Sequence, residues 1–198
     1  KSLKITLINA KIDFENLKEL DWKYFGDDKN IYYFDESDFK KLDRADINSF
    51  ERIEYTGFFK DKNNIYYDGE KIEGIDMNSI EVINGMCIKD KNSVFYEGKK
   101  LRNISPDNFN IFDGGISYDK ILVDKNGAYK LLENENQKDK IIPLDSKNID
   151  LKTLERIDSP MDSSNYFKDK NGVYFLNGEK FVKINGADID SFEVTMSW

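Results

Sequence analysis

The sequence predicts an all-β protein with minor short helical turns, built from tandem repeats of ~30 residues that form stacked antiparallel β-hairpins or meanders. Three observations predict it. Asp-Lys-Asn recurs at Asp28, Asp61, Asp90, Asp124 and Asp169, at intervals of 33, 29, 34 and 45 residues. A short apolar strand with an aromatic residue near its middle follows each copy. Most of these strands run into a two-residue turn ending in Gly, at Asp68-Gly69, Glu97-Gly98 and Asn177-Gly178. Asp-Gly and Asn-Gly are the strongest short hairpin signals.

Each unit is preceded by an apolar residue and a capping residue. Examples are Ala45-Asp46-Ile47-Asn48-Ser49, Ile75-Asp76-Met77-Asn78-Ser79, Ile104-Ser105-Pro106-Asp107, Ile149-Asp150-Leu151-Lys152-Thr153 and Ala187-Asp188-Ile189-Asp190-Ser191; Ile12-Asp13-Phe14 opens the series. The capping Asp or Ser accepts from an orphan backbone N–H, and Pro106 suits the first helical position, so each segment reads as one capped helical turn. A β-prone segment follows in most copies, such as Phe50-Glu51-Arg52-Ile53.

The Asp-Lys-Asn segment reads as a four-residue type I hairpin turn, with Asn64, Ser93, Gly127 and Gly172 at the fourth position, where φ > 0 is expected. In the first copy the same length is restored by reading the turn as Asp27-Asp28-Lys29-Asn30. The strands that follow begin Ile31-Tyr32-Tyr33, Ile65-Tyr66-Tyr67, Val94-Phe95-Tyr96, Ala128-Tyr129-Lys130 and Val173-Tyr174-Phe175. Strand side chains alternate, so two apolar columns on opposite faces imply that these strands are covered at least partly on both sides.

A unit thus runs strand, turn, strand, tight turn, strand, capped turn, strand. It has no face that it could bury alone, so neighbours must stack. About five such units make one repeat-built domain over residues 1–198, the last two with longer insertions. A small β-propeller-like closure is the alternative, although ~30 residues is short for its four-stranded blades.

Composition narrows the function. Net charge is −8, with lysines and acids interspersed and no basic face, so no nucleic-acid partner is expected. No apolar run reaches the ~20 residues of a membrane-spanning helix. With no histidine, the commonest general base is missing, and the single cysteine, Cys87, sits among apolar neighbours as a structural thiol. Lys1 in place of an initiator methionine leaves room for a removed signal peptide. The segments starting at Asp124 and Asp169 begin like calcium loops, but Ala128 and Val173 stand where a third oxygen ligand belongs, so they read as turns. No metal, cofactor or catalytic residue is expected.

The run Asp61-Lys62-Asn63-Asn64-Ile65-Tyr66-Tyr67-Asp68-Gly69-Glu70-Lys71-Ile72, continued by Gly74-Ile75, resembles the bacterial DKNYY-repeat family, and Asp90 to Leu101 is a second good copy. The resemblance extends over about residues 12 to 195. The double tyrosine survives only at Tyr32-Tyr33 and Tyr66-Tyr67. The resemblance implies a bacterial origin and a repeat fold, sometimes on exported proteins, and brings no catalytic residues.

The expected function is therefore non-enzymatic binding of another protein, in the cell envelope or the secreted fraction, with the oligomeric state left open. The candidate interaction surface comprises Asp35, Glu36 and Asp38 of the irregular first unit, Glu133 and Glu135 of the charged loop in the fourth, and Tyr33, Tyr67 and Tyr96, which follow the central aromatic and are expected to reach a surface. The irregular loops of units one, four and five are where loop-borne function is expected. A binding module requires a contiguous exposed aromatic or apolar patch. An intracellular acidic inhibitor of a basic partner requires acids of several units on one face. A hydrolase requires a deep pocket with converging carboxylates of perturbed pKa.

Overall fold

The computed structural model describes residues 12, 15–113, 120–132, 140–157 and 165–195. Its strands are short because each is cut off by a turn within two to six residues. They form five antiparallel sheets, each of four strands in sequence order. The first sheet is β1 (Lys18–Asp21), β2 (Tyr24–Gly26), β3 (Ile31–Phe34) and β4 (Phe39–Lys41). The second is β5 (Glu51–Arg52), β6 (Phe58–Lys60), β7 (Ile65–Tyr67) and β8 (Glu70–Lys71). The third is β9 (Glu81–Asn84), β10 (Cys87–Lys89), β11 (Val94–Tyr96) and β12 (Lys99–Lys100). The fourth is β13 (Asn110–Asp113), β14 (Lys120–Val123), β15 (Ala128–Leu132) and β16 (Lys140–Pro143). The fifth is β17 (Glu155–Arg156), β18 (Tyr166–Asp169), β19 (Gly172–Asn177) and β20 (Lys180–Lys183).

The chain is all-β, as the repeats predict, but the boundary between units moves. The strand after each capped turn pairs with the strand that follows it, as Glu51 pairs with Lys60 and Glu155 with Lys168. It therefore opens the next sheet instead of closing the previous one, and the capped turn is the connection between sheets. The length argument against four-stranded units also fails, because edge strands of two residues suffice.

Contacts divide the chain into two compact units, Lys1–Ile104 with the first three sheets and Ser105–Trp198 with the last two. Within the first, the face of the first sheet carrying Tyr24, Ile31 and Tyr33 packs on Phe59 and Tyr66 of the second. The opposite face of the second, with Phe58 and Ile65, packs on Ile88 and Phe95 of the third. Alternation along Ile65-Tyr66 sends neighbouring side chains into two different cores, which is why both columns are apolar. Within the second unit, Ile121, Val123 and Ala128 pack against Phe167, Tyr174 and Leu176. Burying a side chain such as Tyr66 or Phe95 contributes about 2 kcal/mol.

Candidate interaction surface

A four-stranded meander places its middle turn at one end of the sheet and its other two turns at the opposite end. The middle turn is the Asp-Lys-Asn segment. Its aspartate is a buried acceptor. Asp61 takes the backbone N–H of Asn63 and Asn64 on Oδ1, both at 2.7 Å, and the Tyr66 hydroxyl on Oδ2 at 2.9 Å. Asp61 Oδ2 also accepts from the backbone N–H of Asp46, the cap of the preceding turn, at 2.9 Å. Asp90, Asp124 and Asp169 accept in the same way from Asp76, Ser105 and Asp150. Asp27 accepts from Lys29, Asn30 and, at 2.8 Å, the Tyr32 hydroxyl, and its backbone N–H closes the loop on the Asn30 carbonyl at 3.0 Å. The restored four-residue turn is therefore real.

The lysine binds the same capped turn twice. The N–H of Lys62 donates to Ser49 Oγ at 3.1 Å, and its ammonium pairs with Asp46. Lys91 with Ser79 and Asp76, and Lys170 with Thr153 and Asp150, repeat the arrangement. One expectation fails here: Asn30, Asn64, Ser93, Gly127 and Gly172 do not take positive φ. The carboxylate gathers the amides of the third and fourth residues, so the chain returns to strand geometry without a left-handed residue.

These carboxylates are surrounded by N–H and O–H donors, the environment of an anion and the reverse of a cation site. Burial pushes the Asp27 carboxyl up, but the bonds from Lys29, Tyr32 and Asn30 outweigh it and hold the group at about 2. Asp61 is likewise held low, its donors overcoming burial. Among the described residues no group of three or more His, Cys, Asp or Glu side chains is arranged to hold a metal. Cys87 is buried, and burial pushes its thiol up to about 12.

The opposite end is different. In the Lys1–Ile104 unit, the first turns of the three sheets display Trp22, Tyr55 and Met86, all exposed. Trp22 at φ 47° and Tyr55 at φ 60° hold left-handed backbone, which costs a bulky residue about 1–2 kcal/mol. Tyr55 is 86% exposed and Trp22 52%, so burial does little to offset that strain. The turns adjoin. The Arg52 guanidinium lies 6.0 Å from the Trp22 ring, and its Nε donates to the Thr56 carbonyl at 2.6 Å. The N–H of Gly57 donates to the Gly85 carbonyl at 2.8 Å.

The third turns share this end and supply acids. Asp35 accepts from Ser37 and Asp38 in the β3–β4 turn, and Glu36 pairs with Lys23 at 3.3 Å. Asp68 and Glu97 head the two Gly turns. Six of the residues expected at an interaction surface therefore converge here: Asp35, Glu36, Asp38, Tyr33, Tyr67 and Tyr96. The tyrosines do so with a correction. Tyr33 is only 6% exposed and Tyr96 only 3%, while Tyr67 is half-buried. The next sheet covers Tyr33 and Tyr67, and the Tyr96 hydroxyl lies 3.8 Å from the Met86 sulfur of its own sheet. The Tyr33 ring lies where a Cβ on Gly69 would be 2.6 Å away, its hydroxyl donates to Asp68 at 3.1 Å, and Tyr67 sits likewise against Gly98. The second tyrosine of the motif thus fills the space that the next Gly turn leaves by lacking a side chain. Burial, then the carboxylates Asp68, Asp35 and Glu36, push Tyr33 up to about 12. Burial, then Glu97 and Asp68, do the same to Tyr67.

Glu133 and Glu135 lie outside the described residues, as do the loops 114–119, 133–139 and 158–164, in the irregular units where loop-borne function is expected. Trp22, Tyr55 and Met86 were not singled out from the sequence. A signal exists: Trp22 and Tyr55 are 33 residues apart, the same interval as Asp28 to Asp61. A groove of about 590 Å³ between the second and third sheets is lined by Glu51, Ile53, Lys60, Asp61, Met77 and Val82. Glu51 pairs with Lys60 at 3.0 Å, and Asp61 is held low, the opposite of what a general acid at neutral pH needs.

No curated protein and no solved structure matches the chain. The family model described as the DKNYY family matches residues 3–70 and 58–198, and with the Asp, Lys, Asn and both tyrosines each given a structural task, the chain belongs to the DKNYY family of repeat proteins.

Proposed function

We propose that this repeat protein is a non-enzymatic protein-binding module of the cell envelope or the secreted fraction, and that it binds through the end of the Lys1–Ile104 unit that displays Trp22, Tyr55 and Met86. The observation that carries this reading is the pair of strained, exposed aromatics. Other aromatics of the unit, such as Tyr24, Tyr32, Phe58, Phe59, Tyr66 and Phe95, are buried. Trp22 and Tyr55 instead combine a left-handed backbone with a solvent-facing ring. Retained strain with little burial is the mark of a residue kept for an external contact, and amphipathic aromatics are the commonest anchors of protein interfaces. An intracellular acidic protein acting on a basic partner is the second reading, supported by the acids that share this end.

The test is site-specific photo-crosslinking in cells that produce the protein. A photoreactive phenylalanine at position 55 or 22 is expected to capture a discrete protein, and the same residue at position 62, on the opposite end, is not. Capture only at position 62, or at none of the three, overturns the reading. Fractionation of the crosslinked cells separates envelope or secreted from intracellular placement.

A further inference from the structure

The display end also carries information about its occupant, an inference that rests on the binding reading above. Two cations show how this end holds positive charge. Lys23 Nζ lies 5.9 Å from the Trp22 ring centre and 3.3 Å from Glu36. The Arg52 guanidinium lies 6.0 Å from the same ring, with an Nη 3.8 Å from Asp21. Each cation is placed between an aromatic ring and a carboxylate, where the ring quadrupole and the anion act together.

At Tyr55 an aromatic ring and a carboxylate again adjoin in the chain. Its ring is solvent-facing, the exposed Glu54 precedes it in the turn, and among the described residues no ring or cation packs on it. Asp68 and Glu97 extend the negative charge across the second and third sheets. The opposite end alternates in sign through Asp28-Lys29, Asp43-Arg44 and Lys62. Charge complementarity therefore selects a positive partner at one end only.

We propose that the occupant is a cationic protein segment that lays an Arg or Lys side chain on the Tyr55 ring against Glu54. The neighbouring acids set its orientation and speed its approach at low salt. Met86 and Trp22 provide apolar contact on either side.

The test selects a displayed random-peptide library on the full chain and counter-selects it on Tyr55→Gly. Enriched peptides are expected to carry Arg or Lys. A synthetic copy, followed by fluorescence anisotropy, should lose about tenfold or more in affinity to Tyr55→Gly and to Glu54→Lys. It should change less than about twofold with Asp43→Lys, which makes the same charge change at the opposite end. Gly tolerates the left-handed turn, so the Tm of Tyr55→Gly should not fall. If it does, Tyr55→Asn, which also accepts this geometry, replaces it. Enrichment of acidic or neutral peptides overturns the cationic occupant while leaving the binding reading standing. Equal loss with Asp43→Lys reduces the effect to bulk charge and overturns it as well. Enrichment of nothing over Tyr55→Gly removes both.

Discussion

The two ends of the sheets in the Lys1–Ile104 unit are built on opposite principles. At the Asp-Lys-Asn end the turn carboxylates are turned inward and satisfied: Asp61, for example, joins its own turn, the Tyr66 hydroxyl and the preceding capped turn. At the other end Trp22 and Tyr55 are turned outward on strained backbone. The most regular part of the repeat is thus scaffold, while residues that do not repeat by type, but do repeat by position, face the solvent.

The largest effect is expected at Asp61. Asp61→Ala strands several buried donors, each worth about 1–3 kcal/mol, and should lower unfolding free energy by at least about 3 kcal/mol in urea denaturation. Glu54→Ala, at the display end, should stay within about 0.5 kcal/mol. Equal effects would erase the distinction between the ends.

The next largest effect lies at the display end, which has structural fixtures of its own in the contacts of Tyr33 with Gly69 and of Tyr67 with Gly98. Gly69 has φ +71°, and a Cβ there would meet the Tyr33 ring at 2.6 Å. Gly69→Ala should therefore cost about 2–3 kcal/mol. A neutral result would show that the contact between successive units is soft.

A smaller, paired effect concerns the third sheet, which has Phe95 where Tyr32, Tyr66 and Tyr174 stand, and a buried Ser93 hydroxyl without a partner. Tyr66→Phe should lose about 1 kcal/mol, and Phe95→Tyr should gain about as much by giving Asp90 a hydroxyl donor. Thermal melts of the two variants should move in opposite directions.

The pH dependence follows from Asp27 and Asp61, whose carboxyls are held below their ordinary value, Asp27 at about 2. A lowered folded value means that their stabilisation is complete above the unfolded value near 4 and is lost as pH falls through the folded one. The urea midpoint should therefore drop between pH 4 and pH 2, and Asp27→Asn should flatten that drop. An unchanged slope in the variant would remove Asp27 from the account.

The smallest change is expected at Arg44, which occupies with φ 59° the position that Gly74 and Gly186 fill in other copies. Arg44→Gly should leave stability within about 1 kcal/mol of wild type, with any change upward, because it removes left-handed strain at the cost of chain entropy.

Much of this was legible in the sequence. The turn at Asp27–Asn30, the aromatic columns, the caps and the Gly turns all depend on bonds between residues two to five positions apart, or on strand alternation. Residue type and spacing encode these directly. The burial of the second tyrosine is not encoded locally, because its cover is the Gly turn of the next unit, 36 positions on from Tyr33 to Gly69. The phase of the unit is hidden for a similar reason, since Glu51 pairs forward with Lys60 and no local signal distinguishes that from pairing backward.

The repeat, its turns and the apolar character of both faces of its central strands are written in residue order, because they follow from short-range hydrogen bonding and a period of two. Only the tertiary structure decided that Asp61 also holds the cap at Asp46, and that Trp22, Tyr55 and the acids of alternate turns meet at one end. Those adjacencies arise when meanders stack face to face, bringing together residues that no local interaction relates.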